Sequence, residues 1–220
     1  KPIEAKGSLE TVKRVCQRLN EVMIFAVNTG VIGGANPISG VKDAFIAPSK
    51  QHLPTLLPHQ LDDLVKRIYG ASIRLTTRNL MLWQLHTMVR PSEAAAAEWV
   101  EIDFDAKLWT IPASRMKKKR QHIVPLSSEM IEILEEMRVI SSRSQFIFPS
   151  EVKALESMNS QTANMALKRM GYGGQLVSHG MRSLASTILN EHGFAPDIVE
   201  SALAHTDKNT VRAAYNRAEY

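Results

Sequence analysis

The sequence predicts a mainly helical fold carrying one small antiparallel β-sheet of three strands (α+β). Three observations predict it. Apolar residues recur at three- and four-residue spacing over most of the 220 positions, the mark of helices with one buried face. One stretch, WVEIDFDAKLWTIPASRMKKKRQHIVPL, alternates apolar and polar residues across two turn-like breaks, as short paired strands do. Gly33, Gly34, Pro37, Gly40, Pro48, Pro54 and Pro58 interrupt both patterns between residues 31 and 58 and mark a loop and linker.

Residues 8 to 29 read as one long helix, with Ser8 at its N-cap. Leu9, Val12, Val15, Leu19, Val22, Met23 and Ala26 fall at helical spacing, and Gly30 ends it. Lys13, Arg14 and Arg18 share its polar side. The breakers beyond place a domain boundary near residues 46 to 54, dividing the chain into 1–48 and 49–220. Pro58 then opens a helix that stops at Gly70. An apolar helix covers 72 to 88, and a shorter one runs from Glu93 to Glu98. After the three strands, helices are expected at 128–139, 160–170, 180–191, 196–203 and 209–217.

Composition narrows the function. A single cysteine, Cys16, excludes a disulfide framework and any cysteine-based zinc site, and fits a reducing cytoplasm. No run of 18 apolar residues is present, and KPIEAKGSLE has no signal-peptide core. That start also lacks Met, so a fragment of a longer protein is expected. The net charge of +5 is modest, but Arg115, Lys117, Lys118, Lys119 and Arg120 crowd into six positions between the second and third strands. Such a local excess points to a polyanionic partner.

Four polar clusters could carry chemistry. Arg90 and Glu93 follow an apolar helix, and Pro91 forces a bend at Arg90; alone, the two also fit a surface ion pair. The turn from Arg115 to His122 offers an ammonium that can reach a phosphate oxygen or protonate a leaving alkoxide, though the run does not single out one lysine. His179 and Arg182 share a helical face near an N-terminus that favours anions. His205 and Tyr215 close the series. In combination they form an assembly for phosphodiester chemistry. Two guanidiniums clamp the nonbridging oxygens and stabilise the charge of a pentacoordinate transition state. A tyrosine hydroxyl, with a pKa of about 10, attacks once histidine takes its proton. That charge makes a metal unnecessary, and the chain offers no HExxH and no tight carboxylate cluster, so no metal or cofactor is expected.

The segments VRPSEAAAAEWVEID, WTIPASRMKKKRQHIVPLS, FIFPS, SHGMRSLASTILNE and IVESALAHTDKNTVRAAYNRAEY, in this order, resemble the tyrosine recombinase (phage integrase) family. The resemblance is to the branch encoded by satellite phages and genomic islands, and it runs through nearly the whole chain. It implies that Arg90 and Arg182 bind the scissile phosphate and that Glu93 orients the site. It makes His179 the acid/base partner of the nucleophile and His205 a hydrogen-bond donor to a phosphate oxygen. Tyr215 is then the nucleophile that forms a 3′-phosphotyrosyl link. Lys117, eight residues before Pro125, best matches the lysine that protonates the leaving 5′-oxygen, with Lys118 and Lys119 one slip of register away.

The implied function is site-specific recombination of DNA, integrating or excising a prophage or genomic island without metal or ATP. The alternatives are type IB topoisomerase-like relaxation and a catalytically inactive DNA-binding protein. Residues 1 to about 46 resemble the last part of a core DNA-binding domain, with Lys13, Arg14 and Arg18 as phosphate contacts beside Arg115, Lys118, Lys119 and Arg120 of the turn. Double-stranded attachment-site DNA is the implied partner, engaged by a tetramer that is monomeric without DNA, with DNA-bending or excisionase proteins as accessories. The resemblance further implies an arm-binding domain upstream and a C-terminal tail beyond Tyr220.

Overall fold

The computed structural model describes residues 2–49, 53–153 and 155–205. The chain forms two compact units, Lys1–His52 and Leu53–Tyr220. No helix among the described residues is long and apolar enough to cross a membrane.

The first unit holds a short helix α1 (Pro2–Ala5) and the long helix α2 (Leu9–Asn28). Ser8 stands before α2 as expected, but its hydroxyl makes no capping bond, because its backbone is not in the extended conformation that aims the side chain at the first turn. Gly30, in the left-handed conformation at φ 72°, ends the helix. Only Val12 and Cys16 of α2 are buried; Val15, Leu19, Val22 and Phe25 are exposed. A 3₁₀ turn, Val41–Ala44, follows in the glycine-rich stretch.

The second unit is built around α4 (Leu75–Thr87), preceded by a 3₁₀ turn at Pro58–Gln60 and α3 (Leu61–Gly70). Nine of the thirteen residues of α4 are buried, from Thr76 to Thr87, so this helix is surrounded rather than amphipathic. Its Trp83 packs on Trp109 at a centroid distance of 5.0 Å and on Phe148 at 6.3 Å. Those rings tie the helix to the sheet and to the loop after α6 (Ser128–Ser141).

Helix α5 (Pro91–Ala95) starts two residues before the expected position. Pro91 supplies the first helical φ, and the Glu93 carboxylate accepts the Arg90 backbone N–H at 3.0 Å. It also ends early, because residues 97 and 98 leave to pair with 146 and 147. The sheet is β1 (Ile102–Asp103), β2 (Leu108–Ile111) and β3 (His122–Pro125), in that spatial order and antiparallel, with Trp109 opposite Val124 and Ile111 opposite His122. The basic turn therefore links β2 to β3.

The helix expected at 160–170 is α7 (Thr162–Leu167) followed by a π-helical turn over Lys168–Tyr172, opened by Gly171 at φ 93°. Helices α8 (Ser178–Glu191) and α9 (Pro196–Ala202) complete the described chain. The helix expected at 209–217 lies outside the described residues.

Candidate active site

Arg90, Lys117, His179, Arg182 and His205, from positions as far apart as 90 and 205, line one cleft of about 490 Å³ in the second unit. Ser183, Ser186, Thr187, Glu200 and Leu203 complete its wall. Each functional side chain has a local reason to be there.

Arg90 is held extended by Pro91, and its Nη1 donates to Glu93 Oε1 at 2.9 Å. Glu93 is almost fully buried, so its charge is spent on Arg90 and, at 3.5 Å, on the backbone N–H of Lys117. Just upstream, Met88 takes the left-handed conformation at φ 52° and closes α4. That turn presents the Met88 carbonyl to Arg182, whose Nη1 donates to it at 2.5 Å. Arg182 Nη2 donates to the Leu203 carbonyl and meets His205 Nε2 at 3.0 Å. Met88, Val199 and Leu203 form a small apolar cluster beneath, which keeps α9 against this turn.

Burial, and then the neighbouring Arg90 charge, pull the Arg182 pKa down to about 10, leaving it a cation at neutral pH. Partial desolvation by the cleft, followed by the charges of Arg182, Arg90 and Lys117, pushes His179 below the usual imidazole range. A neutral imidazole results at pH 7, able to accept a proton. His205 bonds through Nδ1 to Glu200 Oε2 at 2.8 Å, while its backbone N–H donates to the Glu200 carbonyl at 3.0 Å. Glu200 thus clamps His205 twice.

The start of α8 is shaped by the strap of residues 53–57. Thr55 Oγ1 donates to the Gly180 carbonyl at 2.8 Å, and a Cβ on Gly180 would collide with the Pro54 carbonyl oxygen. Glycine between His179 and Met181 is what lets the strap lie across the helix. Ser178 Oγ and Gln84 Oε1, 2.5 Å apart, seat the same turn on α4.

The basic turn divides in two. Lys117, Lys118, Lys119 and Arg120 are exposed, and Lys119 Nζ donates back to the Ser114 carbonyl at 3.2 Å. Arg115, expected as a phosphate contact with them, is turned inward instead. Its Nε and Nη2 donate to Glu101 Oε1 and Oε2 at 2.7 and 2.5 Å, and Nη1 reaches the Glu93 carbonyl at 3.3 Å. Its neighbour Met116 is buried in the core, so the chain leaves the interior only after it, with Arg115 held inside by Glu101 and Lys117 exposed. In the first unit Lys13, Arg14 and Arg18 are exposed, but Arg14 and Arg18 pair with Glu10 and Glu21 of their own helix.

Tyr215 and Tyr220 lie outside the described residues. Glu101, Glu200 and His122 were not singled out as site residues by sequence reasoning. Burial holds the His122 pKa down, and its Nε2 is buried without a hydrogen-bond partner. Glu200, five positions before His205, was the one with a legible local signal.

The fold is that of tyrosine recombinase catalytic domains. A lambda integrase dimer bound to a COC′ core site superposes with a TM-score of 0.73 at 17% identity, covering 95% of this chain and 77% of that one. The Tn1549 transposon integrase in complex with circular intermediate DNA gives 0.69 at 16% identity, covering 100% and 79%. The chain belongs to the phage integrase family, whose model matches residues 54–220. It is 56% identical to the prophage integrase IntA of Escherichia coli (strain K12) over 219 residues, 100% of this chain and 53% of that protein. It is 34% identical to the integrase of Enterobacteria phage P4, over 98% and 52%. The chain spans about half the length of these curated relatives.

Proposed function

We propose that this chain is the catalytic part of a site-specific DNA recombinase that cuts and rejoins strands to integrate or excise a prophage-type element. The observation that carries this reading is the convergence of two guanidiniums, a lysine and two histidines on one cleft. Arg90 and Arg182 hold the nonbridging oxygens of the scissile phosphate and stabilise the added negative charge of the transition state. The Tyr215 hydroxyl attacks phosphorus while His179 accepts its proton. The P–O5′ bond breaks as Lys117 gives a proton to the departing oxygen, leaving a 3′-phosphotyrosine and a free 5′-hydroxyl. His205, set by Glu200, donates to a phosphate oxygen. Attack by a 5′-hydroxyl from another strand reverses the steps and reseals the DNA.

Lys118, Lys119 and Arg120 add phosphate contacts beside the cleft, as do Lys13, Arg14 and Arg18 on α2, giving salt-dependent affinity rather than sequence choice. The residues 1–48 belong to a core DNA-binding domain, and four protomers act on two duplexes in the cytoplasm. Accessory bending or excisionase proteins set the direction.

The test is a nicked suicide substrate that loses its 5′-hydroxyl strand after cleavage, incubated in EDTA with the parent and with Tyr215→Phe. An SDS-stable adduct mapping to Tyr215, absent in the variant, is the expected result. An adduct on Tyr220 overturns the nucleophile assignment, and salt-sensitive binding without any adduct overturns the enzymatic reading.

A further inference from the structure

The Arg115 guanidinium, although it sits in the most basic stretch of the chain, is engaged entirely by protein groups. Glu101 accepts its two parallel bonds, and the same carboxylate accepts Trp109 Nε1 at 2.9 Å and the Glu98 backbone N–H at 3.2 Å. The Glu101 side chain is 5% exposed and that of Arg115 17%. Three of these four donors fall on Oε2 and one on Oε1, so the buried carboxylate is held from several sides and the pair is fixed in direction.

The pair stands at the entrance to the lysine turn. Arg115 is anchored by Glu101, Met116 by the core, and the Lys117 N–H by Glu93; from Lys117 to Gln121 every residue is exposed. Arg115 Nη1 also holds the Glu93 carbonyl, while the Glu93 carboxylate holds Arg90. A chain of contacts therefore runs from Trp109 through Glu101, Arg115 and Glu93 to the Arg90 guanidinium and the Lys117 backbone.

We infer that the Glu101–Arg115 pair is a positioning device for Lys117, setting where the turn leaves the core and so where the ammonium meets the leaving oxygen. This rests on Lys117 being the proton donor. The lysine stem is flexible, and only its backbone origin can be fixed from behind. Displacement of a reacting group by about 1 Å costs on the order of 100-fold in rate.

The experiment uses the full natural chain and two nicked substrates, one ordinary and one with sulfur in place of the bridging 5′-oxygen. In the second, Tyr215 Oη still bonds to phosphorus and the P–S bond breaks. The thiolate departs without a proton, its conjugate acid having a pKa of about 8.5. Arg115→Gln is expected to cleave the ordinary substrate on the order of 100-fold more slowly and to recover to within about threefold of the parent on the sulfur substrate. Arg115→Lys, which keeps the charge against Glu101 but loses the parallel bonds, is expected to show a smaller defect with the same recovery, and serves if the glutamine variant does not fold.

Lys117→Ala is the control. If it is not rescued by sulfur, Lys117 is not the donor and the underlying reading fails. If it is rescued while the folded Arg115 variants are not, the positioning role is overturned. A fall of about one in the slope of log affinity against log salt for the Arg115 variants makes the residue a phosphate contact and also overturns it.

Discussion

Glu93 grips Arg90 at both ends: Oε1 accepts from the guanidinium Nη1 at 2.9 Å, and Oε2 accepts from the Arg90 backbone N–H at 3.0 Å. One carboxylate thus caps α5 and aims the arginine at the cleft. A surface pair three residues apart would contribute little; this one is buried on the Glu93 side, where an unmade bond is costly.

Glu93→Gln is therefore expected to lower stability by about 1–3 kcal/mol in urea unfolding. DNA cleavage should fall more than stability alone explains, by on the order of tenfold or greater, because Arg90 loses its anionic guide. Cleavage equal to that of the parent would show that Arg90 is placed by its backbone alone.

Gly180→Ala tests the strap. The added Cβ meets backbone, the Pro54 carbonyl oxygen, which cannot rotate away as a side-chain tip would. The expected cost is about 1–3 kcal/mol, read from the urea midpoint, although alanine ordinarily favours a helix. A stabilised variant would mean that the strap yields without cost.

Glu200→Gln leaves the His205 ring without an anionic partner at Nδ1. Both side chains are substantially exposed, so folding should be unaffected. Single-turnover cleavage is expected to drop on the order of tenfold, as loss of a carboxylate behind a functional imidazole does elsewhere. Unchanged turnover would make the contact incidental.

Stability should rise with pH between about pH 5.5 and 7. His86, His122 and His179 all lie below their ordinary pKa in the folded chain, with desolvation the leading cause in each. Only about a unit above the ordinary imidazole value of about 6.5 do both folded and unfolded states hold these rings neutral. As pH falls the unfolded chain binds protons first, so stability is lost until the lowered folded values are reached. Urea midpoints at pH 5.5, 6.5 and 7.5 measure the slope, and His122→Gln should reduce it. A slope of zero would place these rings in ordinary solvent.

Much of the fold was legible because periodicity survives in it. The alternation through Trp109, Ile111 and Val124 located the strands, and Pro58 and Gly30 marked a helix start and a helix end through backbone conformations that no neighbour overrides. The π-helical turn before Gly173 and the early end of α5 were not legible, since pairing partners more than 40 residues away decide where Ala97 and Glu98 go.

The site divides along the same line. Residue type and order, Arg90, Lys117, His179, Arg182 and His205, are properties of the sequence, because phosphate chemistry admits few side chains and their order along the chain persists whatever the packing. Which cations face the cleft and which are consumed inside is not. Arg115 and Lys117 differ by two positions in one basic run, and only the burial of Met116 and the acceptor at Glu101 send one inward and the other to the cleft. A charge has no direction until its backbone is anchored and its partners are in place, and those partners come from distant parts of the chain.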